Sequence, residues 1–194
     1  MKTSLKIKSF IAIALAAAFT FSASPAQADN YRIDPSHSFV EFSISHLGIS
    51  VLQGRFNDIS GDFNYDKNNP NSAKITVLVK TASVDSNHAE RDKHLRNKDF
   101  LHVSKYPKAT FTTTSFSGNG KTGTLKGKLT IHGKTNRVAI PIVYVGAGKD
   151  PWGGYRMGFT GKLRIKRSDY GISYNLGPAA ESMDLGFFIE GIRK

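Results

Sequence analysis

The fold class is decided by one stretch, Ser38-Phe-Val-Glu-Phe-Ser-Ile-Ser-His46. Its apolar residues Val40, Phe42 and Ile44 alternate with polar ones, so a strand here has one apolar and one polar face. The same period of two recurs at 73–84, 123–132, 157–166 and 182–190. Many short amphipathic strands separated by turn residues are typical of a closed antiparallel barrel or a sandwich. We therefore expect an all-β protein.

Two stretches depart from this alternation. Between 54 and 66, Phe56 is out of phase with Phe63 and Tyr65, which predicts a bulge or bend near Gly61. The run 138–145 is apolar on both faces, and Pro141 within it predicts an edge position or a bulge. Both irregularities are compatible with a curved sheet.

One segment, Ser86–Arg96, has no alternation and is rich in helix formers. Asn87 is the expected N-cap, with Glu90 three residues later as in a capping box. We predict a single short helix here and a second short turn over 178–181.

The first 28 residues have the pattern of a secretory signal peptide. Lysines precede a short apolar run at 10–19, and Ala26-Gln-Ala28 follows as a cleavage site. The apolar run is shorter than the roughly 20 residues that span a bilayer. We expect cleavage before Asp29 and a mature domain over 29–194 in the periplasm or the medium.

Composition narrows the function classes. The chain has 194 residues, 39% hydrophobic and 22% charged, which is typical of a globular protein rather than a disordered one. It has no cysteine, which excludes a disulfide scaffold, a thiolate metal site and a cysteine nucleophile. Removing the three leader lysines lowers the net charge from +12 to about +9. Export argues against nucleic acid as the partner, which leaves an anionic membrane surface, a phosphorylated head group or a simply solvated basic surface.

Residues with catalytic or metal-binding chemistry form no recognisable constellation. Four potential metal ligands lie between His88 and His94, but these two histidines are six residues apart and face different sides of a helix. Asp58 and Asp62 lie in a strand-and-turn region typical of solvated carboxylates. The chain has no Gly-x-Ser-x-Gly elbow and no phosphate-binding loop. We predict neither a metal nor an enzyme.

The barrel interior has two interpretations. A small barrel either fills its interior with side chains or holds one apolar ligand. Gly127 and Gly161 fall in phase with the apolar faces, which predicts room for a tunnel, although glycine is equally common at barrel corners. The pattern alone leaves a ligand cavity and a filled core both open.

Several stretches spread over the whole mature chain carry a resemblance to a known family. They are Ile33-Asp-Pro-Ser-His37, Gly54-Arg-Phe-Asn-Asp-Ile-Ser-Gly61, Thr81-Ala-Ser-Val-Asp85 with Arg91-Asp92-Lys-His94-Leu, Lys105-Tyr-Pro107, Asp150-Pro-Trp152-Gly-Gly and Leu176-Gly-Pro178. Together they resemble the YceI family of polyisoprenoid-binding, lipocalin-like periplasmic proteins. No single short motif carries the match.

The resemblance implies an eight-stranded antiparallel β-barrel around an apolar tunnel, closed near one end by the helix. It implies binding of a long isoprenoid lipid, a polyprenyl phosphate or an isoprenoid quinone, for carriage or storage without catalysis and without another cofactor. A secreted structural, stress or interaction protein with a filled core is the alternative, and an enzyme that acts on the lipid is the third hypothesis. The side chains expected to contact the lipid are Val40, Phe42, Ile44, Phe56, Ile75, Val77, Phe111, Leu125, Leu129, Phe159, Leu163, Met183, Leu185 and Phe187.

Three residues are expected at the tunnel mouth. Arg91 and Asp92 resemble the family's Arg-Asp pair: either Arg91 faces an anionic head group, or the two form an ion pair that fixes the helix to the barrel rim. His46 is in phase with the apolar face of its strand and is either a contact to the ligand's polar end or a core histidine. His37 is expected to be structural, within the turn that begins at Asp34.

Overall fold

A computed structural model describes residues 28–194 of the chain. The predicted signal peptide lies outside the described residues apart from Ala28, so the leader remains a prediction. Within residues 28–194, no helix is both long enough and apolar enough to cross a membrane.

Eleven strand segments and one α-helix make up the described chain. The strands are β1 (Asp29–Ile33), β2 (Phe39–His46), β3 (Ser50–Phe56), β4 (Ile59–Tyr65), β5 (Lys74–Lys80), β6 (Val84–Asp85), β7 (Lys108–Gly118), β8 (Thr122–Ile131), β9 (Lys134–Lys149), β10 (Tyr155–Lys166) and β11 (Ser182–Arg193). The helix α1 is Ala89–Arg96, and short 3₁₀ turns lie at Pro70–Ser72, Thr81–Ser83, Arg167–Tyr170 and Pro178–Ala180.

The eleven segments form an eight-stranded closed barrel, because three of the eight barrel strands are interrupted and consist of two segments each. β11 pairs with β1 over its last residues and with β2 over its first ones, so β1 and β2 follow one another along the same neighbour. β3 and β4 form the next barrel strand, and β5 and β6 form the one after it. All pairings are antiparallel, and β7 to β11 complete the circle. The expected eight-stranded antiparallel barrel is confirmed, and closure excludes the sandwich.

The two ends of the barrel differ. We call mouth end the end where the β2–β3 hairpin (46–50), α1 and the segment 167–181 lie, and far end the end with the turns 119–121 and 150–154. Two clusters of apolar side chains fill the space between them, one centred on Phe42, Phe111 and Leu129 and the other on Tyr31, Ile59 and Phe63. The helix and its following segment therefore lie where a tunnel would open.

The change of phase within 54–66 comes from an interruption at 57–58, where β3 ends and β4 begins, rather than from a bulge at Gly61. Two residues outside the ladder shift which side chains face inward, so Phe56 and Phe63 both reach the interior. Gly61 has φ +148 and lies close to β5, since a Cβ there would be 2.0 Å from the carbonyl oxygen of Thr76.

Pro141 is not on an edge strand, because β9 pairs with both β8 and β10. Its partner in β8 is Thr124, and pairing with β10 begins one residue later, at Ile142. Pro141 therefore lies where β9 needs no donor towards β10, which is why the ladder tolerates it. The irregularity in this ladder lies farther along, between Tyr144 and Gly146.

The predicted helix is present, but Asn87 is not its N-cap. Asn87 has φ +60, in the left-handed region, and its backbone N–H donates to Asp85 Oδ1 at 2.9 Å. The cap is His88, whose Nδ1 accepts the backbone N–H of Arg91 at 3.2 Å. The turn made by Asn87 shifts the start of the helix by one residue.

Candidate functional site

The centre of the barrel contains a cavity of about 120 Å³. Its wall is made of apolar side chains, and its polar members are three threonines, Thr81, Thr110 and Thr160. Gly161 also contributes to the wall. Ten of the fourteen side chains expected to contact a lipid line this inner cavity: Val40, Phe56, Ile75, Val77, Phe111, Leu125, Leu129, Phe159, Leu185 and Phe187.

A larger outer pocket of about 660 Å³ opens at the mouth end. Among the residues expected from sequence, Phe42, Ile44 and Met183 line it. The helix and the segment after it supply further walls through Leu95, Phe100 and Leu101, and the segment 172–177 supplies the opposite side. The outer pocket therefore combines barrel strands with two irregular segments.

The inner cavity and the outer pocket are adjacent. Phe56 and Leu101 line both, one from β3 and the other from the segment after α1. These two side chains therefore stand between the outer pocket and the centre of the barrel.

Leu163 lines neither cavity. It is half-buried against the core cluster, at a level where β10 pairs only with β11 and has separated from β9. Gly127 likewise creates no free space, since a Cβ there would lie 2.5 Å from the ring of Phe111, which occupies the room that the glycine provides. Gly161, in contrast, lies on the cavity wall.

Four of the side chains that line the outer pocket are cations or become cations on protonation. They are Arg91, Arg167, His46 and His94, and no carboxylate is among the lining residues of this part of the chain. Because low-dielectric walls strengthen the field of a charge, the pocket favours an anion at its polar side. His46 is exposed at the rim, so it is not a core histidine.

Arg167 is the buried arginine of this pocket, with 8% of its surface exposed. Its Nε donates to the carbonyl oxygen of Ala180 at 2.7 Å, and both terminal nitrogens donate to that of Tyr174 at 3.2 Å. Burial lowers its pKa, and its recorded partners within residues 28–194 are neutral carbonyls. The guanidinium holds the segment 174–180 in place while its charge stays uncompensated by a carboxylate.

Arg91 and Asp92 do not form the alternative ion pair with each other. Both bind Ser86: Asp92 Oδ1 accepts the backbone N–H of Ser86 at 2.8 Å and also its hydroxyl, and Arg91 Nε donates to Ser86 Oγ at 2.7 Å. A second bond joins Arg91 Nη2 to the carbonyl oxygen of Ser86. Asp92 is buried and lines neither cavity, whereas Arg91 lines the outer pocket. The two side chains fix the start of α1 to the chain that leaves β6.

Three potential metal ligands, Asp34, His37 and Glu190, lie within 4.8 Å of one another at the far end. The position of a cation among them is taken by Arg156, whose Nη1 lies 2.6 Å from Asp34 Oδ2 and 2.6 Å from Glu190 Oε1. Burial alone would raise the pKa of Asp34, but hydrogen bonds from Ser36, Arg156 and His37 outweigh it and hold this pKa well below its usual range. The cluster is an ion-pair network that ties β1, β10 and β11 together, and His37 has its expected place in the turn.

Several residues that line the outer pocket were not predicted from the sequence, because they lie outside strands. Leu95, Leu101, Arg167, Tyr174 and Leu176 all line the outer pocket from the helix or from irregular segments. A period of two cannot identify inward positions in such segments. The apolar residues that follow the helix were the available signal.

The comparisons with known proteins agree on the fold. The family description "YceI-like domain" matches residues 31–190. A UPF0312 protein of Pseudomonas aeruginosa (strain LESB58) is 49% identical over 189 residues, which cover 96% of this chain and 98% of the relative. The Campylobacter jejuni YCEI protein has a similar structure, with a TM-score of 0.69 and 31% identity over 78% of this chain and 90% of that one. A polyisoprenoid binding domain from Saccharophagus degradans, implicated in plant cell wall breakdown, has a TM-score of 0.64 at 15% identity, covering 87% of this chain and 100% of that domain.

Proposed function

Because this chain belongs to the YceI family, we propose that it binds a long-chain isoprenoid lipid, with the tail in the inner cavity and the head group in the outer pocket. The observation that carries the proposal is that an apolar cavity at the barrel centre adjoins a larger pocket at the mouth end, with Phe56 and Leu101 as shared walls. The solved domain from Saccharophagus degradans, described as polyisoprenoid binding, supports the same ligand class.

The cavity volumes suggest a chain length. A cavity of about 150 Å³ holds benzene, which corresponds to about 25 Å³ per carbon. On that scale the outer pocket of about 660 Å³ takes roughly 25 carbons and the inner cavity of about 120 Å³ takes about five. Together they shelter about six isoprene units, and a longer tail extends beyond the mouth or displaces core side chains.

The wall of the outer pocket favours an anionic head group over a neutral one. Arg167 lines it, and none of its lining residues is acidic. Arg91 lines it too, but its guanidinium donates to Ser86 and so positions the helix. A phosphate would offset the cost of burying Arg167, whose hydrogen bonds end on neutral carbonyls. Between the two ligands that the family resemblance implies, a polyprenyl phosphate therefore fits better than an isoprenoid quinone.

Carriage or storage without catalysis is the activity proposed for the site. Each buried methylene contributes about 0.8 kcal/mol, so a sheltered tail binds tightly without many polar contacts, after a discount for ordering the chain. The predicted signal peptide supports export to the periplasm. An intact mass that begins at Asp29 would agree with this location, and a retained Met1 segment in exported protein would contradict it.

The alternative function, a secreted structural or interaction protein with a filled barrel, is favoured by one observation. The inner cavity of about 120 Å³ lies below the roughly 300–1,000 Å³ usual for ligand pockets. On this alternative the core is complete as it stands, and the outer pocket is a surface depression.

Mass spectrometry of the lipid extracted from the purified, natively exported protein distinguishes the two. We expect one isoprenoid species, with a head group and a chain length that the cavities can shelter, in a ratio near one per chain. Protein that carries no lipid, or only the phospholipid mixture of the host membrane, would support the filled barrel instead.

A further inference from the structure

Large aliphatic side chains extend into solvent at the tip of the β2–β3 hairpin. Leu47, Ile49 and Val51 have 67%, 83% and 66% of their surface exposed. Leu47 also lines the outer pocket, so the exposed tip is continuous with the mouth of the proposed lipid site. Adjacent exposed apolar residues of this size usually mark an interaction surface.

The backbone of the tip shows that Leu47 is not there to stabilise the turn. Leu47 has φ +57 and Gly48 φ +74, so both lie in the left-handed region. Asparagine or glycine suits such a position best, and a leucine there is strained. With its side chain largely exposed, Leu47 contributes little burial in return. The residue is therefore better explained by a contact outside the chain.

Three exposed lysines lie on the other side of the mouth end. Lys108 and Lys134 are the first residues of β7 and β9, and Lys105 lies 5.3 Å above the ring of Tyr106 in the preceding segment. None of the three pairs with a carboxylate within residues 28–194. We call these lysines the basic rim. They provide positive charge for anionic groups at the same end of the barrel as the hairpin tip.

We propose that the mouth end docks on an anionic lipid bilayer, with the hairpin tip inserted among the lipids and the basic rim on their phosphates. This inference rests on the proposed function, because docking of the mouth lets an isoprenoid enter the barrel without crossing water. The hairpin tip supplies apolar area and the basic rim supplies attraction, the two terms that bind peripheral proteins to membranes.

A bilayer fits this surface better than a second copy of the chain does. A mouth-to-mouth dimer would bring two basic rims together, and like charges repel within a Debye length of about 10 Å. The tip also offers only three large side chains, which falls short of the roughly 800 Å² per partner that a stable interface buries. A bilayer needs neither a shape-matched partner nor an equal area.

Vesicle sedimentation of the mature protein tests the docking. We expect binding to vesicles that contain phosphatidylglycerol and much weaker binding to phosphatidylcholine alone. Leu47→Ser with Ile49→Ser should lower partitioning at least about tenfold, since burying even one aliphatic side chain is worth that much. The matched control is Val143→Ser with Val145→Ser, which removes side chains of 50% and 68% exposure towards the far end and should leave partitioning unchanged.

The basic rim is tested by Lys134→Gln. It should weaken binding about fivefold on anionic vesicles, since a surface lysine contributes about 1 kcal/mol there, and leave neutral vesicles unaffected. Equal loss in the hairpin and far-end variants, or no preference of the parent for anionic vesicles, overturns the proposal. A parent dimer that the hairpin variants dissociate, seen by sedimentation equilibrium, would assign the tip to a second copy instead.

The two proposals fail separately. Isoprenoid recovered from a protein that does not bind vesicles refutes the docking alone. Vesicle binding by a protein that carries no isoprenoid refutes the proposed ligand and leaves the docking surface in place.

Discussion

Replacing Leu129 by tryptophan should block the inner cavity and shorten the lipid tail that the barrel can hold. Leu129 is 5% exposed and lies on the wall of the inner cavity, next to Phe111 across the β7–β8 ladder. The larger indole projects into the space where the end of the tail would lie. The outer pocket, where the head group and the first isoprene units would lie, keeps its walls.

The magnitude follows from the cavity volume. About 120 Å³ corresponds to about five carbons, one isoprene unit. At about 0.8 kcal/mol per methylene, excluding that unit costs about 4 kcal/mol before the ordering of the chain is counted. If ordering offsets half of this, about 2 kcal/mol remains, or about a 30-fold rise in Kd.

The matched control is Leu163→Trp, the same substitution on a core residue that lines neither cavity. Both variants overpack the core and should lose about 1–3 kcal/mol of unfolding free energy, with Leu129→Trp at the lower end because the cavity receives part of the ring. Binding curves are measured for a three-unit and a six-unit isoprenoid phosphate on the parent and both variants, with melting temperatures alongside.

We expect Leu129→Trp to weaken the six-unit ligand about 30-fold and the three-unit ligand about twofold or less, with little effect of Leu163→Trp on either. Equal weakening of both lengths by Leu129→Trp would refute the assignment of the tail to the inner cavity. An unaltered affinity of folded Leu129→Trp for the long ligand would do the same. A severe loss of stability without any ligand effect would support the filled barrel.

Three further predictions concern the parts that hold the site in place. Arg91→Gln removes the bonds to Ser86, so it should lower the melting temperature and weaken phosphate and quinone ligands by similar factors; a selective loss of the phosphate would return Arg91 to the head-group role. The pKa of Asp34 lies below its ordinary 3.8, so its contribution to the free energy of unfolding is complete above about pH 4 and is lost as the pH falls below that. Urea unfolding across this range should show the loss, and the pH dependence should be flatter in Asp34→Asn. Gly54→Ala would place a Cβ 2.4 Å from the Phe42 ring and push the ring towards the outer pocket, which should lower both melting temperature and lipid occupancy; unchanged values for both would contradict that packing.

Much of the barrel could be predicted because the alternation of apolar and polar residues within a strand shows which side chains are buried. In β2, Val40 and Phe42 face inward and Glu41 outward, as the spacing requires. The same reasoning placed most of the inner wall, since each inward residue is identified within its own strand. The irregular walls of the outer pocket, such as Leu101 and Tyr174, carry no such period and were missed.

Closure of the barrel, by contrast, depends on partners far apart in the chain. β1 pairs with β11, so residues near the two ends of the described chain meet, as Tyr31 does with Arg193. No local pattern distinguishes this closure from a sandwich, because both present one apolar face per strand. The resemblance to a known family, and not the strand pattern, favoured the barrel over the sandwich.

The sequence by itself determined most of the strands, most of their inward faces and the single helix, because these follow from the spacing of apolar residues along a few neighbouring positions. Only the tertiary structure decided where free volume remains. Phe111 fills the space above Gly127, whereas Gly161 borders the inner cavity, although both glycines have the same phase in sequence. The difference arises because side chains and strands from elsewhere in the chain determine the free volume at each glycine. No local sequence period can predict that packing.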